Sequence, residues 1–363
     1  MRWASYVKTL LLTTVLSALI VSAWILLLDP YDNVWFSPPL ERAPVAKNQR
    51  FSYPALARKP RFDSLIVGTS SVRLLRPGQL DPLLGAEFVN LAMNAATPYE
   101  QSQILSVFVR HHPRTRYAFL GVDDSVWCTE DHLHAKLGPR TFPPWMYDEN
   151  RWNDLLYLFN AETLEQGWNQ FRNLLGIWEP HHGGDGYKNF LPADSRYDIE
   201  MVRGKLYEGS PPHLKPAAEP PEPVSREERG GWTFPNLELL QDMLRALPKE
   251  TVKVLVFPPY HQFRLPAPGS RQAAVVDECK ARVVRMAQGF QGTTVIDFMI
   301  RSRISLEDEN FWDPQHYRVG VATLIGDAIA DALDTGRGED GVYRILARPH
   351  VASEVRAASA SSY

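Results

Sequence analysis

The stretch FDSLIVGTSS, residues 62–71, decides how the rest of the chain is read. Its apolar run, Leu65 to Val67, is unbroken and stops at a glycine followed by small hydroxyl residues. That is the pattern of a strand buried on both faces and running straight into a loop. Similar runs recur at EFVNLA (87–92), RYAFLGVDD (116–124), VKVLVFPP (252–259) and TTVIDF (293–298). Between several of them apolar residues fall at three- and four-residue steps, over 99–110, 236–247, 271–288 and 317–333, which predicts helices. Strands alternating with helices imply a parallel sheet covered on both faces. The expected fold class is α/β, a three-layer α/β/α sandwich with a parallel sheet of about five strands, plus one N-terminal transmembrane helix.

Outward from this core, the N-terminus sets the address. Thr9 to Leu28 is twenty residues without a charge, and at about 1.5 Å per residue that length spans the roughly 30 Å hydrocarbon core of a bilayer. Arg2 and Lys8 precede it and Asp29 and Asp32 follow, so the chain is expected to be a single-pass protein of the cytoplasmic membrane. Its main domain then lies on the extracytoplasmic, periplasmic side. The competing reading is a cleaved signal peptide ending near Val21–Ala23. Residues 30–60, rich in proline and charge, read as a linker. The domain proper is expected over 61–334, with an insertion at about 125–232 that holds six tryptophans and is helical near Trp152 to Leu175. The tail, 335–363, loses periodicity and reads as disordered.

The bulk composition narrows the partners. Lys and Arg total 39 against 42 Asp and Glu, with no basic run, which argues against nucleic acid. The two cysteines, Cys128 and Cys279, read as unpaired thiols, with one bridge open in an oxidising compartment. Cys128 with His132 and His134 fits no common zinc spacing, so no metal site is assigned. The pairs His111–His112 and His181–His182 read as surface or loop residues.

In an open parallel sheet, ligands bind beyond the carboxyl ends of the strands. There the first strand presents Gly68-Thr69-Ser70-Ser71, with Ser70 read at a helix N-terminus. The last strand is followed by FWDPQHYR, residues 311–318, in which Asp313 and His316 read as sharing a helix entrance. A serine hydroxyl needs a neutral imidazole to take its proton, and a carboxylate to hold that imidazole in the right tautomer. Ser70, Asp313 and His316 supply those three roles, in the chain order Ser, Asp, His that one class of hydrolases uses. The bland reading is that Ser70 and Asp313 merely cap helices. His261, after the fourth strand, reads as either a substrate contact or a turn residue.

With Gly68-Thr69-Ser70 at one end and Asp313-Pro314-Gln315-His316 at the other, the chain resembles the SGNH/GDSL superfamily of esterases and acyltransferases. Within it the resemblance is to the membrane-anchored branch of DltD- and AlgX/AlgJ-like proteins of cell-envelope polymer modification, and it covers roughly residues 60 to 335. It implies an SGNH/flavodoxin-like fold and an extracytoplasmic acyltransferase or esterase acting on acyl groups, foremost O-acetyl, of a cell-surface polysaccharide. The implied partners are a glycan or polysaccharide acceptor and a membrane-embedded protein that donates acyl groups; no cofactor is implied. The family's oxyanion donors are the nucleophile's own N–H, a glycine N–H and an asparagine side chain. Here Asn94 and Ala95 stand at the second block, and the third reads Gly121-Val122-Asp123-Asp124. An ionised Asp123 cannot donate a hydrogen bond. Three alternatives follow: Asn94 supplies the donor, Asp123 binds a substrate hydroxyl, or the activity is weak or absent; the last favours a second reading, a non-catalytic scaffold that binds glycan or a membrane acyltransferase.

Overall fold

The computed structural model describes residues 3–130 and 137–349. The elements in chain order are α1 (Trp3–Leu28), α2 (Gln49–Ala57), β1 (Ser64–Val67), α3 (Pro77–Leu84), β2 (Phe88–Asn90), α4 (Pro98–His111) and β3 (Tyr117–Gly121). Then come α5 (Asp124–Trp127), α6 (Asp154–Tyr157), α7 (Ala161–Leu174), α8 (Ile199–Tyr207), α9 (Arg226–Gly231) and α10 (Asn236–Ala246). The chain continues with β4 (Val252–Phe257), α11 (Arg271–Ala287), β5 (Thr293–Asp297), α12 (Arg303–Leu306), α13 (Val319–Thr335) and β6 (Arg344–Ala347).

The five strands expected from the sequence all form and all pair in parallel, in the order β2-β1-β3-β4-β5. Their side chains alternate between two cores, as the two-residue period of a strand requires. Leu65, Val67, Leu120 and Leu255 join one cluster with α4, α10 and α11; Ile66, Phe119, Val254 and Ile296 join the other with α3 and α13. The order reverses between β1 and β3, so the carboxyl ends of these two strands open the crevice where ligands bind in such sheets. At that point Gly68 and Gly121 face each other across Val72. A Cβ on Gly68 would lie 2.5 Å from a Val72 methyl, and one on Gly121 would lie 2.9 Å from both methyls.

Four expectations need correction. The tail is not wholly unstructured: Arg344–Ala347 adds a sixth strand, antiparallel to β5. Residues 30–60 are not a free linker, because all nine residues of α2 are buried and Arg42 folds back to donate from Nε to the Leu28 carbonyl at 2.8 Å. That guanidinium satisfies an orphan carbonyl at the end of α1 and sits favourably at the negative end of its dipole. The cysteines are paired: Cys128, just past α5, and Cys279, on α11, form a disulfide with Cα atoms 5.5 Å apart. Spacing could not reveal this, since the partners are 151 residues apart and meet only through the sheet. Finally, the surface reading fails for His112 and His182: both lie in loops, as the alternative had it, but are buried, each hydrogen-bonded to a backbone carbonyl, of Ala57 and Lys47 respectively.

The insertion forms no β-strand among its described residues, and α6 and α7 fall in its predicted helical part. Its proline-rich segment is held against the loop after β4, with Lys215 Nζ donating to the carbonyls of Phe263 and Leu265. His132 and His134 lie outside the described residues.

The bridge gives a first prediction. Closing so long a loop removes entropy from the unfolded chain, so Cys128→Ser is expected to cost about 2–4 kcal/mol. Denaturant titration of parent and variant, without and with reductant, checks it. The parent should fall to the variant's midpoint only when reduced.

Candidate active site

The chain after β1 turns sharply at Gly68 and runs through a series of turns, with the Arg73 N–H donating to the Ser70 carbonyl at 3.3 Å. Helix α3 begins only at Pro77, so Ser70 stands in a turn and not at a helix N-terminus as expected. FWDPQHYR likewise does not open a helix. Phe311 and Tyr317 form an antiparallel bridge, Trp312 N–H donates to the His316 carbonyl at 2.8 Å, and α13 starts at Val319. Asp313 and His316 therefore sit on one tight loop. The Tyr317 hydroxyl donates to the Ser71 carbonyl and ties this loop to the turn that carries Ser70.

That tie brings the three predicted residues together. Ser70 Oγ lies 3.0 Å from His316 Nε2, and His316 Nδ1 lies 2.8 Å from Asp313 Oδ2. Asp313 Oδ1 also accepts the backbone N–H groups of Gln315 and His316, at 2.8 and 2.9 Å, which fixes the carboxylate plane. Burial pushes this carboxyl up, but its hydrogen bond to His316, that residue's charge and the two N–H groups outweigh it and hold Asp313 below the usual carboxylate range. With Asp313 ionised and accepting from Nδ1–H, Nε2 is left as the acceptor facing Ser70.

A cavity of about 500 Å³ opens over this relay, bordered by Ser70, Asn94, Ala95, Asp123, Phe190 and His316 among others. The three residues singled out beside the triad thus all reach it. Ala95 holds a left-handed backbone, φ 50°, at the position where the resemblance implies glycine. The glycine-like geometry is kept at the cost of a strained alanine. Among the described residues, the N–H groups of Ser70 and Ala95 have no backbone acceptor, and the Asn94 amino group has no protein acceptor. The Asn94 carbonyl oxygen is taken by Arg73 Nη1 at 2.9 Å, so its amino group is the free end.

Asp123 is turned to a different use. It is buried, its Oδ2 accepts from Thr69 Oγ1 at 2.9 Å, and its Oδ1 accepts from the Tyr260 hydroxyl. Burial pushes its carboxyl above the ordinary value, against the pull of these hydrogen bonds. A carboxyl with a raised folded pKa binds a proton in the folded state that it has lost in the unfolded one, so it makes stability fall as pH rises from the unfolded value towards the folded one. Asp123→Asn is therefore expected to flatten the loss of melting temperature as pH rises above the ordinary carboxylate range. Calorimetric scans of both proteins over that rise check it.

Several residues of the site escaped the sequence reading. Phe190, from the insertion, meets the His316 ring edge to face at 5.6 Å and walls the cavity. Arg73, buried, lies over the Phe190 ring at 5.0 Å and donates to His182 Nδ1 at 3.4 Å. Burial, and then the Arg73 charge, push His182 down to about 4, so it stays neutral. His261, by contrast, is buried against Asp308 at 3.2 Å and does not border the cavity. Gly68 reads as a turn former from the sequence, and its contact with Val72 adds a second reason for glycine. Gly68→Ala should drive Val72 and the Ser70 turn apart, costing about 1–3 kcal/mol and lowering turnover by displacing Ser70 from His316; melting curves and kcat measured together check it.

No protein-family model matches the chain, and no curated protein sequence matches it. A solved structure described as "a putative platelet activating factor from Streptococcus pneumonia" is similar over 78% of this chain and 91% of that one, at 12% identity and a TM-score of 0.37. A likeness of that order fixes neither the fold nor the chemistry.

Proposed function

We propose that the chain is an extracytoplasmic serine-dependent acyl-ester enzyme, an O-acyltransferase or esterase of SGNH type built on a three-layer α/β/α sandwich. Its substrates are acyl groups, foremost O-acetyl, of a cell-surface polysaccharide. The observation that carries the reading is the unbroken relay from Ser70 Oγ to His316 to Asp313, at 3.0 and 2.8 Å. Ser70 Oγ attacks the ester carbonyl while its proton passes to His316 Nε2. The carbonyl oxygen takes the negative charge, and the N–H groups of Ser70 and Ala95 with the Asn94 amino group are the donors at hand. The carbonyl re-forms, the alcohol leaves with the His316 proton, and Ser70 holds the acyl group. Water or a sugar hydroxyl, deprotonated by His316, then takes the acyl group and returns Ser70.

The flanks of α1 support the external side, with Lys8 before the apolar stretch and Asp29 after it. The disulfide fits an oxidising compartment. The reading is tested by mixing the protein with p-nitrophenyl acetate, quenching within the first turnover and measuring intact mass. An acetyl adduct on Ser70 is expected. Its absence, with no turnover, would favour the second reading, a non-catalytic scaffold binding glycan or a membrane acyltransferase. The observation on that side is Asp123, whose carboxyl is engaged by Thr69 and Tyr260 instead of offering a donor to the cavity.

A further inference from the structure

Helix α7 wears its amphipathic pattern inside out. Its buried residues are Thr163, Gln166, Gly167 and Gln170. Leu164, Trp168 and Leu175, at steps of four and seven, are 40%, 53% and 58% exposed. A stripe at that spacing is the face a helix of a water-soluble domain turns to its core. Here it faces outward.

The neighbour beside the stripe is α1. Trp24 stacks on Trp168 with ring centroids 6.5 Å apart and meets Phe171 at 5.1 Å. Gly167 permits the approach, since a Cβ there would lie 3.4 Å from Trp24 Nε1 and 3.9 Å from a Leu28 methyl. The end of α1 is fixed to the domain by Arg42 and by the burial of Ile25 and Leu28. If Thr9 to Leu28 fills the hydrocarbon core, Leu28 marks its outer edge and Trp24 lies about 6 Å within it. The side chains packed on Trp24 belong to the same level. That is the depth of the headgroup–acyl boundary, where tryptophan is enriched and where in-plane amphipathic helices bury their apolar faces.

We propose that α7 and Leu175 just past it dock at the outer bilayer interface, with Leu164, Trp168 and Leu175 inserted among lipids beside α1, a second membrane contact that holds the domain against the surface. The occupant is lipid because the same face packs directly on the spanning helix, through Trp168 and Phe171 on Trp24, close to where that helix leaves the hydrocarbon core. Glu162, some 140° around the helix from the stripe at about 100° per residue, faces water. The inference rests on α1 spanning the membrane.

The test uses the full chain, whose two cysteines are bonded to each other, reconstituted in phosphatidylcholine vesicles with single nitroxide labels. Leu164→Cys and Leu175→Cys labels are expected to be more accessible to oxygen than to a water-soluble nickel chelate. A Glu162→Cys label should show the reverse, and a Leu16→Cys label should report the bilayer centre. If Leu16 reads as central while Leu164 and Leu175 read as watery as Glu162, the inference is overturned and a protein is the better occupant. If Leu16 also reads as watery, α1 does not span and the inference falls with it.

Discussion

Ser70→Ala is expected to lower kcat for acetyl-ester turnover by about 10⁴–10⁶-fold, with no change in melting temperature beyond the small surface-mutation range. The hydroxyl is half-buried, so its loss removes the nucleophile without opening a core cavity. His316→Ala should cost a similar factor, because an unactivated serine is scarcely better than none. The double variant should be no worse than either single one, since the two act as a unit. Asp313→Asn is the informative partner. It keeps the size of the side chain but can no longer fix the Nδ1–H tautomer, so a loss near 10⁴-fold is expected with the fold intact. If the three residues were only caps, Ser70→Ala and His316→Ala would leave turnover where it was.

The second large effect lies away from the chemistry. Arg50 and Glu100 form a bidentate pair, Nε to Oε1 at 2.8 Å and Nη2 to Oε2 at 2.5 Å, with both side chains fully buried. The same guanidinium donates to the carbonyls of Asn94 and Ala95, and Glu100 caps α4 by accepting the Thr97 N–H at 3.0 Å. Removing either partner strands a charge inside the domain. Arg50→Ala or Glu100→Ala is expected to cost about 3–5 kcal/mol and to lower the melting temperature by about 10 °C. Stability alone would not separate packing from positioning. Replacing both at once, Arg50→Met with Glu100→Leu, removes the charges together and should recover most of the stability. It should not recover the rate, because the carbonyls of Asn94 and Ala95 lose the donor that holds their loop, and with it the N–H groups that border the cavity. Recovery of both would mean that the pair is packing and nothing more.

The same pair shows where the sequence is legible and where it is not. The five parallel strands and the residues Ser70, Asp313 and His316 that the fold brings together could be read because each is a local pattern: an apolar run, a glycine, hydroxyl residues, and an Asp–x–x–His block after the last such strand. Arg50 could not be placed, because α2 is buried all round and carries Pro54, so it shows neither a polar face nor helical periodicity. β6 is four residues long with a charged end, too short for an alternation to register. Phe190 and Tyr260 enter the site from loops whose positions depend on the folded sheet. The disulfide joins elements with no sequence proximity. The helix expected to begin at Asp313 failed for a reason the sequence contained: the carboxylate caps its own loop and also serves His316.

The most direct measurement is fluorophosphonate labelling of the full-length protein, followed by peptide mass analysis. A single adduct is predicted on the peptide containing Ser70, lost in Ser70→Ala and strongly slowed in His316→Ala. A folded parent protein that stays unlabelled, or one labelled equally well after Ser70→Ala, would contradict an assembled Ser70–His316–Asp313 nucleophile.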